Sequence, residues 1–314
     1  MKKVLVTGSG GFVGRHLVDL LKTDYEVIGT LFGEDLKDQE NVSYHEGNIQ
    51  DPKFLEDLIN KYSPDFIVHL AARAISWDSD TEQIFNTNFL GTINLYKAVI
   101  ANRNKNPDYN PKILYVSSAE IYGKTTAPDK INEHCPFFPV NFYAVSKVAG
   151  DRLSYQLSQS EKLNILIARP FNHTGPGQQK GFFVPDMASQ IVEIENDPNG
   201  QSLKVGNLES IRDLSDVRDI VRAYKMLLEA ETTPGEAVNV CSGKGQKMKD
   251  VLEKLLSFAK KEIKVEEDPE RFYPVDIKLA VGDNSKLKSL TGWEPQIPLD
   301  QTLEDALDYW RDKP

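Results

Sequence analysis

No apolar run in this 314-residue chain approaches the roughly 18–20 residues a membrane helix needs, so a membrane-spanning protein is not expected. Cysteine is scarce: Cys135 and Cys241 lie far apart and suggest no disulfide framework, which fits a reducing cytoplasm. Basic residues fall short of acidic ones, 37 against 47, for a formal charge of −10. That balance argues against a general nucleic-acid binder, although a few local arginines can still hold an anionic small molecule. The opening MKKVLVTG reaches a glycine too soon for the apolar core of a signal peptide. His16, His45, His69, His134 and His173, with the two cysteines, show no metal-ligand spacing, so no metal is expected. Internal repeats and low-complexity tracts are also absent.

What is present is ordinary globular material, 40% hydrophobic and 27% charged. Short apolar runs alternate with helical periodicity: strands at Val4–Thr7, Glu26–Thr30, Val42–His45, Asp65–Leu70, Lys112–Val116 and Asn164–Ala168. Helices are expected between them, from Phe12, from Pro52, over Thr81–Ala101 and over Tyr143–Leu157. This order predicts an α/β fold with a doubly wound parallel sheet, its strands apolar because helices cover both faces. After Arg169 the texture becomes loop-rich, with helices expected at Pro185–Glu195, Val217–Glu229 and Leu303–Trp310. The expected division is a Rossmann domain over 1–170, with a return near 213–241, and a smaller substrate domain over 171–314.

The turn TGSGGFVG supplies Gly8, Gly11 and Gly14 between the first strand and the first helix. Glycines there allow a tight turn and close backbone approach to a pyrophosphate, and the helix N-terminus offers free N–H groups. A glycine triplet alone is weak; its place in strand–turn–helix makes it a dinucleotide site. The second strand ends in GTLFGED, with Leu31 or Phe32 at the position that selects the ribose, and Glu34 and Asp35 slightly late. Both NAD(H) and NADP(H) stay open.

YAVSK sets Tyr143 and Lys147 four apart, on one face of a helix. An ammonium beside a phenol favours the phenolate and lowers its pKa, so tyrosine can move a proton at neutral pH. Ser117 or Ser118, after the fifth strand, could hold a substrate oxygen.

TGSGGFVG, HLAA (69–72), NFLGT (88–92), SSAEIYG and YAVSK, in this order and spacing, resemble the extended short-chain dehydrogenase/reductase family across almost the whole chain. The resemblance implies a Ser–Tyr–Lys triad on Ser118, Tyr143 and Lys147. It implies NAD(P) held at Gly8, Gly11, Phe12, Val13, Gly14, Asn48, Ile49, Leu70, Ala71, Ala72, Asn88, Tyr143, Lys147 and Pro170, with NADP(H) slightly favoured. ARPFNHTGPGQ, VGNLESIRDLSDVRDIVRAY, VNVCSG, DPERFYPVD and TGWEPQIPL narrow it to GDP-4-dehydro-6-deoxy-mannose reductases, with related GDP-mannose 4,6-dehydratases sharing much of the pattern. By that resemblance Asn172, Val184, Arg212 and Arg271 contact a GDP-sugar, and the protein is a homodimer.

A reductase needs one hydride and one proton, the latter from Tyr143. A dehydratase needs an extra base at C5, and Glu120 stands in the loop where such enzymes carry one. An acidic residue there also occurs among the reductases. The turn TGSGGFVG, where the dehydratases typically carry TGQDG, and the PFNHTGPGQ loop favour the reductase. The dehydratase and a C4 epimerase are the alternatives.

Overall fold

The first apolar run becomes an inner strand, Lys2–Thr7 (β1), of a seven-stranded sheet in a computed structural model that describes residues 1–74, 80–125, 129–197, 202–271 and 277–313. Tyr25–Leu31 (β2) and then Val42–Glu46 (β3) lie on one side of it. Phe66–His69 (β4), Lys112–Val116 (β5), Ile165–Pro170 (β6) and Ala237–Val240 (β10) follow on the other. Every pairing is parallel. The strand order doubles back at β1 and β4, which opens a crevice at their carboxyl ends, where ligands of such sheets bind.

Alternate residues of a strand face opposite ways, and the core divides accordingly. Val4 and Val6 join Leu17 and Leu21 of Phe12–Leu21 (α1) and Ile220, Tyr224 and Leu227 of Val217–Glu229 (α7). Leu5 faces the other layer, with Leu55 and Ile59 of Pro52–Tyr62 (α2) and Leu95 and Val99 of Gly91–Lys105 (α4). Pro52 opens α2 as expected, with the Asp51 side chain accepting from the Lys53 N–H at 2.9 Å.

The helix expected over Thr81–Ala101 is not continuous. Thr81–Phe85 (α3) passes into a π-helical turn, Asn86–Leu90, before α4 begins. One cause lies in the side chains: Thr92 donates to the Asn88 carbonyl at 2.7 Å, while the Asn88 amide turns inward to Ser146 at 2.9 Å. A π-turn gives room for such an inward residue at the cost of regular helical bonds. Gly91 also lies where a Cβ would come within 2.5 Å of Ile49.

The second half carries a four-stranded sheet built on Ile211–Asp216 (β9), a strand that the sequence pattern left unmarked. Asn172–Thr174 (β7), Gly245–Lys247 (β11) and Leu279–Ala280 (β13) pair with it. Phe183–Asn196 (α6), Met248–Ser257 (α8) and Leu299–Arg311 (α10) enclose a separate apolar core. The chain rejoins the main sheet at β10, which pairs in parallel with β6.

Candidate active site

The glycine turn is shaped by contacts that leave no room for side chains. Gly8 has φ +70°, and a Cβ on it would lie 2.9 Å from the Ala71 backbone. On Gly14 a Cβ would come within 2.3 Å of the Gly8 carbonyl, so this glycine lets α1 close onto the turn. Gly11 differs: only the Gly8 oxygen stands near, at 3.4 Å. It leads into a first helical turn, Phe12, Val13 and Gly14, that no side chain caps. Uncapped N–H groups at a helix start are what a pyrophosphate requires, so the residues present fit a dinucleotide. Thr30 anchors the turn through Gly8 N–H at 3.1 Å and through the Ser9 hydroxyl at 2.9 Å.

Around this turn the other expected cofactor residues gather at the sheet's carboxyl ends. Asn48 and Ile49 follow β3, Leu70–Ala72 follow β4, and Pro170 ends β6. Glu34 bends back from the loop after β2 so that its carboxylate accepts from the Phe32 N–H at 2.6 Å and lies beside Gly10. It is therefore not only a solvated loop charge.

Ser118, Tyr143, Lys147 and Glu120 come together one strand further along. β5 delivers Ser118, whose hydroxyl accepts from the Glu120 N–H at 3.1 Å and caps a short 3-10 turn, Ala119–Tyr122. Helix Phe142–Ser160 (α5) delivers Tyr143 and Lys147, both buried. The YxxxK spacing predicted a phenol whose pKa Lys147 lowers. The structure has the opposite sense: burial first, then the Glu120 carboxylate, push the Tyr143 phenol up, with the Ser118 hydroxyl pulling the other way. The reason is where the ammonium points, for Lys147 donates to the Val116 carbonyl at 2.7 Å. Burial holds Lys147 itself down to about 8. Glu120 is raised by burial, against the pull of Asn141 and Arg212.

Of the substrate-side residues, Arg212 on β9 thus reaches Glu120 electrostatically, from the second half of the chain. Asn172 is exposed at the start of β7, whose partner strand is β9. Val184 is buried in the core of the second half, so its backbone rather than its side chain is left for a ligand. Arg271 ends a 3-10 turn and pairs with Asp268 at 3.5 Å. The rest of DPERFYPVD, residues 272–276, lies outside the described residues.

Similarity to known proteins extends along the full chain. Residues 5–306 match the family model described as GDP-mannose 4,6 dehydratase. The GDP-6-deoxy-D-mannose reductase of Pseudomonas aeruginosa is 33% identical over 315 residues, covering 99% of this chain and 98% of the relative. The chain belongs to the GDP-mannose 4,6-dehydratase-like extended short-chain dehydrogenase/reductase family. Another member, the GDP-6-deoxy-D-talose 4-dehydrogenase of Aggregatibacter actinomycetemcomitans, is 30% identical, with 92% of this chain and 91% of that one covered. The solved structure of RMD from Pseudomonas aeruginosa complexed with NADPH superposes with a TM-score of 0.83 at 31% identity, covering 99% of each chain. The family's members are nucleotide-sugar reductases, dehydratases and epimerases, and this chain is an enzyme of that extended short-chain class.

Several polar residues of this family site take roles that the sequence motifs do not announce. Asn141 caps α5, accepting from the Ala144 N–H at 2.7 Å, and its amide donates to Glu120 at 2.9 Å. One asparagine thus fixes both the helix bearing Tyr143 and the carboxylate beside it. Tyr122 donates to Asn239 at 2.7 Å and accepts from Arg169, which pairs with Asp151 at 2.9 Å in full burial. Tyr122 is therefore committed to structure. The Ser117 hydroxyl is buried without a partner among the described residues, away from the bonding that engages Ser118. An asparagine before a helix could have been read as an N-cap; the pairing to Glu120 could not.

Proposed function

We propose that this chain is an NAD(P)H-dependent reductase of the C4 keto group of GDP-4-dehydro-6-deoxy-D-mannose, giving GDP-D-rhamnose or its C4 epimer. The observation that carries the reading is the state of Tyr143: burial and Glu120 keep its phenol protonated, beside Ser118, as a proton donor requires. The names of two full-length relatives, a GDP-6-deoxy-D-mannose reductase and a GDP-6-deoxy-D-talose 4-dehydrogenase, support the sugar and the carbon.

A nicotinamide bound at this site would supply the hydride for C4. Ser118 binds the keto oxygen and Tyr143 gives it a proton, which completes the alcohol. Lys147, its ammonium bonded to the Val116 carbonyl, holds the nicotinamide ribose. Gly8, Gly11, Phe12, Val13 and Gly14 take the pyrophosphate; Asn48, Ile49, Leu70, Ala71, Ala72, Asn88 and Pro170 line the rest. NADP(H) is the slightly favoured cofactor, supported by the NADPH-bound relative. On the substrate side, Arg212 and Arg271 pair with the diphosphate as guanidinium forks do, with Asn172 and the Val184 backbone beside them.

Residues 1–170 with the return at 213–241 serve the cofactor, and 171–314 serve the GDP-sugar; the separate core of the second half supports this division. Exposed Leu90, Val145 and Tyr155, on the π-turn and α5, support a homodimer through this face. Two free thiols, Cys241 buried, suit a cytoplasmic setting.

The test is turnover of GDP-4-dehydro-6-deoxy-D-mannose with NADPH or NADH. Cofactor oxidation only in the presence of the keto sugar is the expected result; keto-sugar formation from GDP-mannose without added reductant would overturn it. That second outcome would favour a dehydratase in which Glu120, its carboxyl raised beside Tyr143, acts as the C5 base. Glu120→Gln separates the two: a reductase keeps much of its turnover, a dehydratase loses it.

A further inference from the structure

His69 is buried at the end of β4, and neither the hydride nor the proton transfer proposed above uses it. Its ring nitrogens have one partner each: Nδ1 lies 2.7 Å from the Thr7 hydroxyl, and Nε2 lies 3.0 Å from the Thr92 hydroxyl. Counting hydrogens fixes the direction of every bond. Thr92 spends its single O–H on the Asn88 carbonyl at 2.7 Å, so it must accept from His69, and Nε2 carries the hydrogen. Nδ1 is then a lone pair and accepts from Thr7. The Thr7 oxygen in turn accepts the Ala71 N–H at 3.2 Å. Beyond Thr92, the Asn88 amide accepts from the Arg73 N–H at 2.8 Å and donates to Ser146 at 2.9 Å. Ser146 donates to the Tyr143 carbonyl at 2.7 Å.

The two ends of this chain matter. Thr7 and Ala71 flank Gly8, the glycine whose φ and close packing shape the pyrophosphate turn. Ser146 stands next to Lys147 and bonds the backbone of Tyr143. A line of directed hydrogen bonds therefore joins the cofactor turn to the turn of α5 bearing the proposed proton donor. The charged group facing the ring is Lys147, and the Tyr115 ring lies 6.0 Å away.

We propose that His69 is a positioning residue, held as a single neutral Nε2–H tautomer, that sets the register of the glycine turn against Tyr143 and Lys147. Its function as a positioner rests on the reading of Tyr143 and Lys147 as the reacting pair; its tautomer does not. A protonated ring would turn an Nδ1–H toward the Thr7 hydroxyl, which already accepts the Ala71 N–H and would lose the acceptor for its own hydrogen, and the ammonium of Lys147 adds to that cost. Burial and Lys147 hold the His69 pKa down, to about 3.

The experiment uses 15N-labelled full-length protein without added ligand. Imidazole nitrogen shifts should report one Nε2–H tautomer for His69 that does not titrate between about pH 5 and 8, where free histidine does. An Nδ1–H tautomer, or titration in that range, overturns the proposal. Thr92→Val removes the acceptor at nearly constant volume. The single tautomer should give way to a mixture, and kcat should fall about tenfold with KM changing less, as misplacement of reacting groups predicts. Thr92→Ser should restore both. A Thr92→Val protein that keeps the single tautomer and native kcat also overturns it. If instead Tyr143→Phe stays active while the tautomer is as stated, the reading of Tyr143 fails and the bonding of His69 stands.

Discussion

The two sides of the candidate site are held by different means. On the sheet side, Ser118, Tyr143, Lys147, His69 and Asn88 are all buried, and Lys147, His69 and Asn88 hydrogen-bond to backbone or to the buried hydroxyls of Thr7, Thr92 and Ser146. On the opposite side Asn172 is exposed, Arg271 is 41% exposed beside Asp268, and Arg212 is half-buried on a short strand. Buried, bonded groups keep one geometry, since leaving a buried polar group unpaired costs about 1–3 kcal/mol. Exposed arginines give up little to move. The first arrangement suits chemistry that tolerates little displacement; the second suits capture of a charged ligand from water.

Substitutions can break or sharpen this contrast. Tyr143→Phe should have the largest effect, lowering kcat by roughly 10²–10⁴-fold, as loss of a general acid does. Cofactor affinity, measured by fluorescence titration, should change little. Arg212→Ala should act mainly on KM for the GDP-sugar: a charge-assisted bond of about 1.5–3 kcal/mol corresponds to roughly 10–150-fold. A fall in kcat with KM unchanged would instead place Arg212 with the buried set.

Lys147 adds a pH effect. Its folded pKa is about 8 against an ordinary 10.5. Above pH 8 the folded chain loses this charge, so kcat/KM should decline there. Between 8 and 10.5 the unfolded chain binds the proton that the folded chain has released. Lys147 therefore favours folding increasingly as pH rises through that window, and its penalty is complete below it. In Lys147→Met, chemical-denaturation curves taken across the window should lose this contribution. The smallest effect is expected at Glu34, beside Gly10. Glu34→Gln removes a negative charge from the turn and should tighten NADPH relative to NADH by a few-fold; an unchanged ratio of dissociation constants would exclude Glu34 from cofactor choice.

Much of the fold was legible because its signals are local. Apolar strands, the glycine turn and Pro52 each announce themselves within a few residues, and α7 runs over Val217–Glu229 as its periodicity predicts. The π-turn at Asn86–Leu90 was hidden, since it depends on Ser146, almost 60 residues away. β9 was hidden as well: IRDLSD carries three charged residues in six, and its three partner strands are short segments from elsewhere in the second half.

For the site, the sequence by itself determined which residues meet at the sheet's carboxyl ends, because a parallel βα order brings successive strand ends to one edge. Membership of the proposed triad followed from spacing and resemblance. Only the tertiary structure decided which way each pKa moves. Whether Lys147 lowers the Tyr143 phenol depends on where an ammonium points, and it points at the Val116 carbonyl. Burial and Glu120 then raise the phenol. Desolvation and charge proximity are properties of the packed chain, and no spacing of residues encodes them.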